Sequence, residues 1–230
     1  KYEGLRNFAI SKVDLKKETI KNGFESILLD LAKKDKYATV RAAAIDKLGD
    51  YKKTEYIEIF KSAVNDSSYT VAGNALMALG KTDAAAASAI AKKMSDKPAK
   101  GNLQEAVMNE IVKSGDESLA DKIIGDFAKM PLGQAKFQFL NTLSTYLIAL
   151  KNPEKVKWGV EEIVKLRDGI PENFRNQTDP FINGMVLKGL LSKKSKQASE
   201  NTEDAALQEL VNYIKSVMPE ADKKGFAPIP

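Results

Sequence analysis

Residues 40–49 read V-R-A-A-A-I-D-K-L-G, a short amphipathic stretch that ends on glycine. Comparable stretches begin elsewhere, and the four can be aligned on their first apolar residues, Leu5, Val40, Val71 and Leu103. Successive starts are 35, 31 and 32 residues apart. In each stretch apolar or alanine residues occupy offsets 0, 4, 5 and 8, which lie on one face of an α-helix. The recurrence predicts one helical unit that is repeated four times.

A second amphipathic segment follows each stripe and begins near Phe24, Thr54, Asp83 and Asp116. Thr54 and Asp83 are suitable N-cap residues, so each unit is predicted to be a helix, a turn and a second helix. Periods of this length are typical of α-solenoids, in which stacked helix pairs bury faces that one pair alone leaves exposed. The tetratricopeptide and ankyrin patterns are absent, whereas the Val-Arg-x-x-Ala-Ile start resembles a short HEAT repeat.

Small residues mark two positions of the predicted unit. Alanine at offset 4 in three copies predicts close approach of a neighbouring helix; these residues are Ala9, Ala44 and Ala75. Gly49 and Gly80 follow the stripes, and we expect them to be left-handed C-caps that end their helices. In the fourth copy the corresponding glycine is Gly115.

Beyond Met130 the repeat loosens, although the pattern remains helical. We expect helices over residues 133–150, 153–168, 180–193 and 204–218. Residues 170–180 are predicted to be a connection, and the polar tract 192–204 a mobile loop. Strand signals are negligible, so the fold is predicted to be all-α: an α-solenoid of HEAT-like helix pairs followed by a less regular helical C-terminal part. The predicted organisation is four repeats over 1–130, further helices of the same superhelix over 131–218, and a non-helical tail over 219–230.

Composition excludes several kinds of chemistry in this segment. Its 230 residues include no cysteine and no histidine. Zinc sites of the usual kind need imidazole or thiolate, and a Ser-His-Asp triad needs histidine, so neither can be built here. We therefore assign no catalytic, metal-binding or cofactor-binding residue. No apolar run is long enough for a membrane span. The net charge of +5 comes from scattered lysines, which indicate a solvated surface rather than a nucleic-acid-binding face.

Arg6 and Arg41 share offset 1 of the repeat and are candidate site residues. Either each guanidinium caps a carbonyl or pairs with an acid in the adjacent unit, or the two form a row that faces a partner domain or a peptide. The row is interrupted by Ala72 and Gln104, which favours the structural interpretation.

A second group of long polar side chains surrounds a proline-bounded turn and comprises Arg175, Gln177, Asp179 and Asn183. One interpretation is purely structural: Thr178 or Asp179 caps a helix that has Pro180 in its first turn. The alternative is that Arg175, Gln177 and Asp179 contact a partner domain or a peptide.

Four segments together resemble the C-terminal region of bacterial zinc aminopeptidases of the aminopeptidase N family. They are V-R-A-A-A-I-D-K-L-G at 40–49, N-D-S-S-Y-T-V-A-G-N-A-L-M-A-L at 65–79, G-Q-A-K-F-Q-F at 133–139 and Q-T-D-P-F-I-N-G-M at 177–185. In such enzymes a thermolysin-like domain carries the zinc motif His-Glu-x-x-His and the motif Gly-x-Met-x-Asn, and neither occurs here. The resemblance implies a non-catalytic helical domain that packs on the catalytic domain of the same chain. It would limit access of peptides to the substrate chamber, with zinc held in the catalytic domain.

The first stripe begins at Leu5 without a capping unit, so we expect this chain to be the C-terminal piece of a larger protein. We also expect an exposed apolar patch where the catalytic domain packs. A free-standing HEAT-like scaffold for protein–protein interaction is the alternative, and a solenoid that binds nucleic acid is a weaker third hypothesis. The compartment, whether cytoplasm or bacterial cell envelope, is left open.

Overall fold

A computed structural model describes residues 2–95 and 100–223 of the chain. All regular elements in these ranges are helical, and no strand occurs in them, which confirms the predicted all-α fold. The chain divides into two compact units, Lys1–Ile111 and Val112–Pro230, and each is described by itself.

The first unit is a series of helix pairs. Its elements are α1 (Glu3–Ser11), α2 (Glu18–Lys34), α3 (Ala38–Gly49), a 3₁₀ turn (Thr54–Tyr56) that leads into α4 (Ile57–Ala63), α5 (Tyr69–Thr82), α6 (Ala84–Met94) and α7 (Gly101–Ser114), which runs across the unit boundary. Helix α3 packs against α1, α2 and α5, and α5 also packs against α4 and α6. First helices of successive repeats therefore lie side by side.

The apolar stripes of the second and third repeats form the core of this unit. Their members are at most 1% exposed: Val40, Ala44, Ile45, Leu48, Val71, Ala75, Leu76 and Leu79. Complete burial of a large aliphatic side chain stabilises a fold by about 1.5–3 kcal/mol, so these stripes are the main source of cohesion between repeats.

Asp83 accepts a hydrogen bond from the Ala86 N–H at 2.9 Å, so its predicted role as an N-cap is confirmed. The same prediction for Thr54 is wrong, because this residue begins the 3₁₀ turn and Lys53 precedes it without a side-chain cap.

The predicted left-handed conformation of Gly49 and Gly80 is wrong. Gly49 is the last residue of α3 and Gly80 lies inside α5, and the described glycines in the left-handed region are Gly101 and Gly115, with φ angles of 54° and 59°. Gly49 instead permits close helix packing: a Cβ added there would lie 2.8 Å from the Cβ of Ala78. The absent side chain lets α3 approach α5, and the helix needs no special backbone angle at this position.

The second unit contains longer helices with less regular spacing. After α7 come a 3₁₀ turn (Glu117–Leu119), α8 (Ala120–Lys129), α9 (Gln134–Ala149), α10 (Pro153–Asp168), α11 (Glu172–Phe181), a π-helical segment (Ile182–Leu187), α12 (Lys188–Glu200), α13 (Ala205–Ser216) and a 3₁₀ turn (Glu220–Lys223). Helix α10 packs against α8, α9 and α13, and α12 packs against α9 and α13. Of the predicted non-helical tail, residues 224–230 lie outside the described part.

Two predictions for the second unit are wrong over most of their length: the predicted connection 170–180 is helical from Glu172, and the predicted loop 192–204 is helical as far as Glu200, with residues 201–204 outside the helices. Glu172–Glu200 form one continuous helical stretch, so neither Thr178 nor Asp179 is an N-cap. Pro180 lies inside this stretch and lacks the N–H that would bond the carbonyl four residues earlier. The wider π-helical turn directly follows, and such segments are a known way for a helix to accommodate a local disruption.

The tract from residue 192 to Glu200 is helical, and one of its lysines belongs to the core. Lys194 is only 1% exposed, and its ammonium group donates to the carbonyls of Ile148 and Leu150 at 3.1 and 2.5 Å. These carbonyls lie at the C-terminal end of α9, where a positive charge interacts favourably with the helix dipole. Burial lowers the pKa of Lys194 to about 8.

The close approach at Gly49 predicts opposite effects for two Gly→Ala substitutions. Gly49→Ala should lower the free energy of unfolding by about 1–3 kcal/mol, because the new methyl group overlaps Ala78. Gly23→Ala, in the interior of α2, is the control: its Cβ meets no atom within 4 Å, so it should stabilise by roughly 0.5–1 kcal/mol. Urea unfolding followed by circular dichroism measures both. Stabilisation by Gly49→Ala would contradict the packing.

The burial of Lys194 predicts a pH dependence of stability. Its pKa is about 8 in the folded chain and 10.5 ordinarily, so between these values the unfolded chain holds a proton that the folded chain has released. Stability therefore rises with pH in that window, by roughly 1–3 kcal/mol for this group. The free-energy difference between wild type and Lys194→Met should grow accordingly from pH 7.5 to 10 in urea titrations. Exposed Lys193→Met is the control, and identical slopes for the two variants would refute the assignment.

Candidate functional site

Arg41 connects two successive turns of the first unit. From α3, its Nη1 donates to the carbonyl of Asp35 at 3.0 Å, and its Nη2 lies 3.0 and 3.2 Å from the carboxylate oxygens of Asp66. Asp66 also accepts from the Ser68 N–H at 2.8 Å, directly before α5. The guanidinium thus joins the first helix of one repeat to the acidic turn that opens the next.

Arg6 makes the equivalent connection one repeat earlier. Its Nε lies 2.7 Å from Asp35 Oδ2, and the carboxylate also accepts from the Tyr37 N–H at 2.9 Å. Burial of Asp35 opposes its ionisation, but the Tyr37 N–H and the Arg6 guanidinium outweigh it and hold its pKa below the ordinary value. The structural interpretation of Arg6 and Arg41 is confirmed, whereas their contact with a partner domain or a peptide stays a prediction.

Open cavities flank both ion pairs. One of about 390 Å³ lies beside Arg6 and Asp35 and is bordered by Lys34 and Lys36; the other, of about 480 Å³, lies beside Arg41 and Asp66. Because the carboxylates already neutralise the arginines, these cavities have a mixed and largely satisfied polar lining. They offer no concentrated charge for an anionic ligand.

The residues of the second candidate cluster do not share one site, because α11 places them on different sides. Arg175 donates to the carbonyls of Ile170 and Asp168 at 3.1 and 3.2 Å, which closes the C-terminal end of α10. Arg175 and Asp179 both line a cavity of about 230 Å³ at the base of α11. Gln177 is exposed and is not part of that lining.

The same cavity contains a buried polar network. Arg167 donates to Oδ1 of Asn183 at 3.2 Å and to the Val217 carbonyl at 2.7 Å, and Asn183 is only 3% exposed. One carboxylate oxygen of Asp179 is buried without a hydrogen-bond donor among the described residues. These groups fix the junction between α10, the π-helical segment and the end of α13, so their geometry is that of a structural corner.

Helix α11 has an unusual surface, because none of its residues is buried. It nevertheless carries a mainly apolar stripe that continues into the π-helical segment and consists of Phe174, Phe181 and Met185, with the polar Thr178 between the first two. Phe174 is 51% exposed and Met185 is 68% exposed. Sequence reasoning missed this stripe because it took residues 170–180 for a connection; the spacing of 4, 3 and 4 is a helical signal once Pro180 is allowed inside the helix.

Helix α1 presents a second apolar surface. Tyr2, Leu5 and Phe8 are 62%, 63% and 61% exposed, and Ala9 is exposed as well. The expectation that Leu5 and Ala9 belong to a buried stripe is therefore wrong for the first copy, although Ile10 is buried. The reason is positional: in later copies a preceding helix covers this face, and no described residue covers it on α1.

Two further properties concern metals and membranes. Residues 2–95 and 100–223 contain no group of three or more metal-ligating side chains that could hold an ion. Over the same ranges, no helix combines the length and apolar character that a bilayer crossing requires.

Comparison with known proteins identifies the repeats. The family model of HEAT repeats matches residues 25–109, from α2 into α7, so this segment is a HEAT-repeat region. The match includes the stripes that begin at Val40 and Val71 and, except for Ile111, the one that begins at Leu103. A search of curated proteins found no significant match. A search of solved structures also found none.

The partly buried ion pair of Arg41 and Asp66 should couple more strongly than an exposed pair. Both side chains are 20% exposed, whereas those of Lys34 and Asp30 are 75% and 61% exposed. A double-mutant cycle with alanine should give about 1–2 kcal/mol for Arg41–Asp66, because the bonds are charge-assisted and multiple. The cycle for Lys34–Asp30 should give no more than about 0.5 kcal/mol. Equal coupling energies from urea unfolding would contradict a connecting role for Arg41.

Proposed function

We propose that this chain is the non-catalytic C-terminal helical domain of a zinc aminopeptidase of the aminopeptidase N family. In this proposal it packs on the catalytic domain of the same polypeptide and shapes the entrance to the peptide-binding chamber. The whole enzyme removes N-terminal residues from peptides, and the catalytic domain holds the zinc ion.

The proposal rests on where the four segments that resemble the aminopeptidase N family lie in the structure. Two of them, at 40–49 and 65–79, lie in the HEAT-repeat region, where packing alone explains their apolar residues. The other two lie in the second unit and place several side chains in solvent: Gln134, Gln138, Gln177 and Met185 are exposed. Burial in this unit does not require these residues, so a surface that contacts another domain is the better explanation for the resemblance there.

The exposed apolar stripe on α11 supports a docked partner. Phe174 and Met185 are exposed large apolar side chains at its two ends, and Phe181 between them is half-buried. Exposed apolar patches of this kind mark interaction surfaces. Gln177 flanks the stripe and is the candidate for a polar contact with the partner or with a peptide.

The chemistry of the chain supports an accessory role. Without histidine or cysteine it lacks the ligands of a usual zinc site, so the zinc in this proposal must be bound by other residues of the enzyme. The candidate arginines are engaged in structural contacts. Arg6 and Arg41 pair with Asp35 and Asp66, and Arg175 donates to the Ile170 carbonyl after the C-terminal end of α10. In this proposal the chain therefore shapes the entrance to the chamber and supplies no reacting group.

The HEAT-repeat match alone is compatible with the alternative, a free-standing scaffold for protein–protein interaction. The two differ in the encoded protein. An aminopeptidase carries His-Glu-x-x-His upstream of this chain, and a scaffold does not.

Peptidase assays test the proposal directly. The 230-residue chain with added Zn²⁺ should release no amino acid from aminoacyl chromogenic substrates, while the full gene product should. In the full protein, Phe174→Ser combined with Met185→Ser should loosen docking and raise the rate on long peptides relative to short ones several-fold. Tyr69→Ser, which alters an apolar side chain 46% exposed on α5, is the matched control. Zinc-dependent turnover by the isolated chain, or a gene product without the zinc motif, would refute the proposal.

A further inference from the structure

The exposed face of α1 has the composition of a helix-packing surface. Leu5 and Phe8 project from it one turn apart, and Gly4 lies between Tyr2 and Leu5 with no atom within 4 Å of the position its Cβ would take. Small residues beside large apolar ones allow a second helix to approach closely. The described residues leave this face open.

The repeats show what covers the same positions elsewhere. Leu5 is equivalent to Val40 and Val71, which are 0% and 1% exposed. Phe8 is equivalent to Asn74 of α5, whose side chain donates to the Ala42 carbonyl of α3 at 3.0 Å. In that repeat the equivalent surface therefore faces the preceding helix.

An exposed position on α3 makes a contact in the same direction. Gly4 is equivalent to Thr39 of α3, whose hydroxyl accepts from the side chain of Asn7 on α1 at 3.3 Å. On both α3 and α5, the face that corresponds to the open face of α1 thus meets the helix before it. The occupant that fits α1 is another helix, packed as α1 packs on α3.

We infer that the open face of α1, formed by Tyr2, Gly4, Leu5 and Phe8, is the docking site for an amphipathic helix from the catalytic part of the same enzyme. This docking site is called the seat below. This inference rests on the proposed function and adds to it where the rest of the enzyme attaches. The seating helix offers an apolar stripe to Leu5 and Phe8 and a small residue opposite Gly4.

Charge defines one edge of the seat. The Lys12 ammonium lies 5.2 Å from the centre of the Phe8 ring and is exposed, whereas Glu3 of α1 already contacts Thr39. Among residues 2–95 and 100–223, the charge without a recorded partner beside this stripe is therefore that of Lys12. An acidic residue on the seating helix, next to its contact with Phe8, complements it.

The size of the seat favours an occupant in the same polypeptide. Helix α1 has nine residues and is about 13 Å long at 1.5 Å per residue. A helix of this length offers a small contact surface, whereas a stable interface between separate chains buries roughly 1,200 Å² or more. A tethered helix needs much less area, because the linker raises its effective concentration to about the millimolar range.

Hydrogen–deuterium exchange of the full gene product tests the seat. Amides of residues 3–11 should exchange at least tenfold more slowly in the full protein than in the 230-residue chain. Leu5→Glu combined with Phe8→Glu should abolish that protection. The same change should leave the melting temperature of the 230-residue chain unaltered, because both side chains are exposed in it. Tyr69→Glu is the control and should leave the protection of α1 intact.

Three outcomes would overturn the inference. They are equal exchange of α1 in the two proteins, protection that survives the double substitution, and protection of the isolated chain that rises with its concentration, which would indicate a second copy as the occupant. The presence of His-Glu-x-x-His in the gene product tests only the proposed function. An unprotected α1 in an enzyme that carries this motif defeats the seat alone.

Discussion

A single HEAT helix pair cannot bury its own apolar stripe, and the first unit depends on this constraint. The residues at offsets 0, 4, 5 and 8 reach full burial only when another helix pair lies alongside, as those of α3 and α5 show. Cohesion is therefore a property of neighbouring repeats. The same constraint gives the open face of α1 its meaning: an apolar stripe without a neighbour is an incomplete version of an interaction that the unit makes elsewhere.

Polar interactions follow the same logic of connecting neighbours. Asp35 and Asp66 accept backbone N–H groups at the start of a helix and also bind an arginine from the preceding first helix. Each carboxylate thereby satisfies helix-terminal donors and fixes the register of one repeat against the next. In the second unit Lys194 has a comparable structural role at the C-terminal end of α9, where its buried ammonium group donates to the carbonyls of Ile148 and Leu150.

The predictable part of the fold was the part governed by periodicity. The stripe at Val40 recurs with the right spacing, and the helix pairs and their packing follow from it. The failures have local causes. Gly49 does end α3, but it needs no left-handed conformation there, and its missing side chain permits a contact with Ala78, which lies 29 residues away in sequence. Pro180 and Lys194 are further examples, because proline is rare inside a helix and lysine is rare in a core. The π-helical segment accommodates the first, and two backbone carbonyls bind the second. The exposed surface of α11 is not predicted for the same reason, because residues 170–180 read as a connection.

The two exposed apolar faces, on α1 and α11, distinguish this chain from a repeat stack whose surfaces are complete. Under the proposed function both are contacts with the remainder of an aminopeptidase, and the chemistry lies in that remainder. An experimental structure of the full gene product tests this account most directly, through the exposed fractions of Leu5 and Met185. The account predicts that both side chains are buried against a zinc-containing catalytic domain. A structure in which both remain more than half exposed to solvent would contradict it.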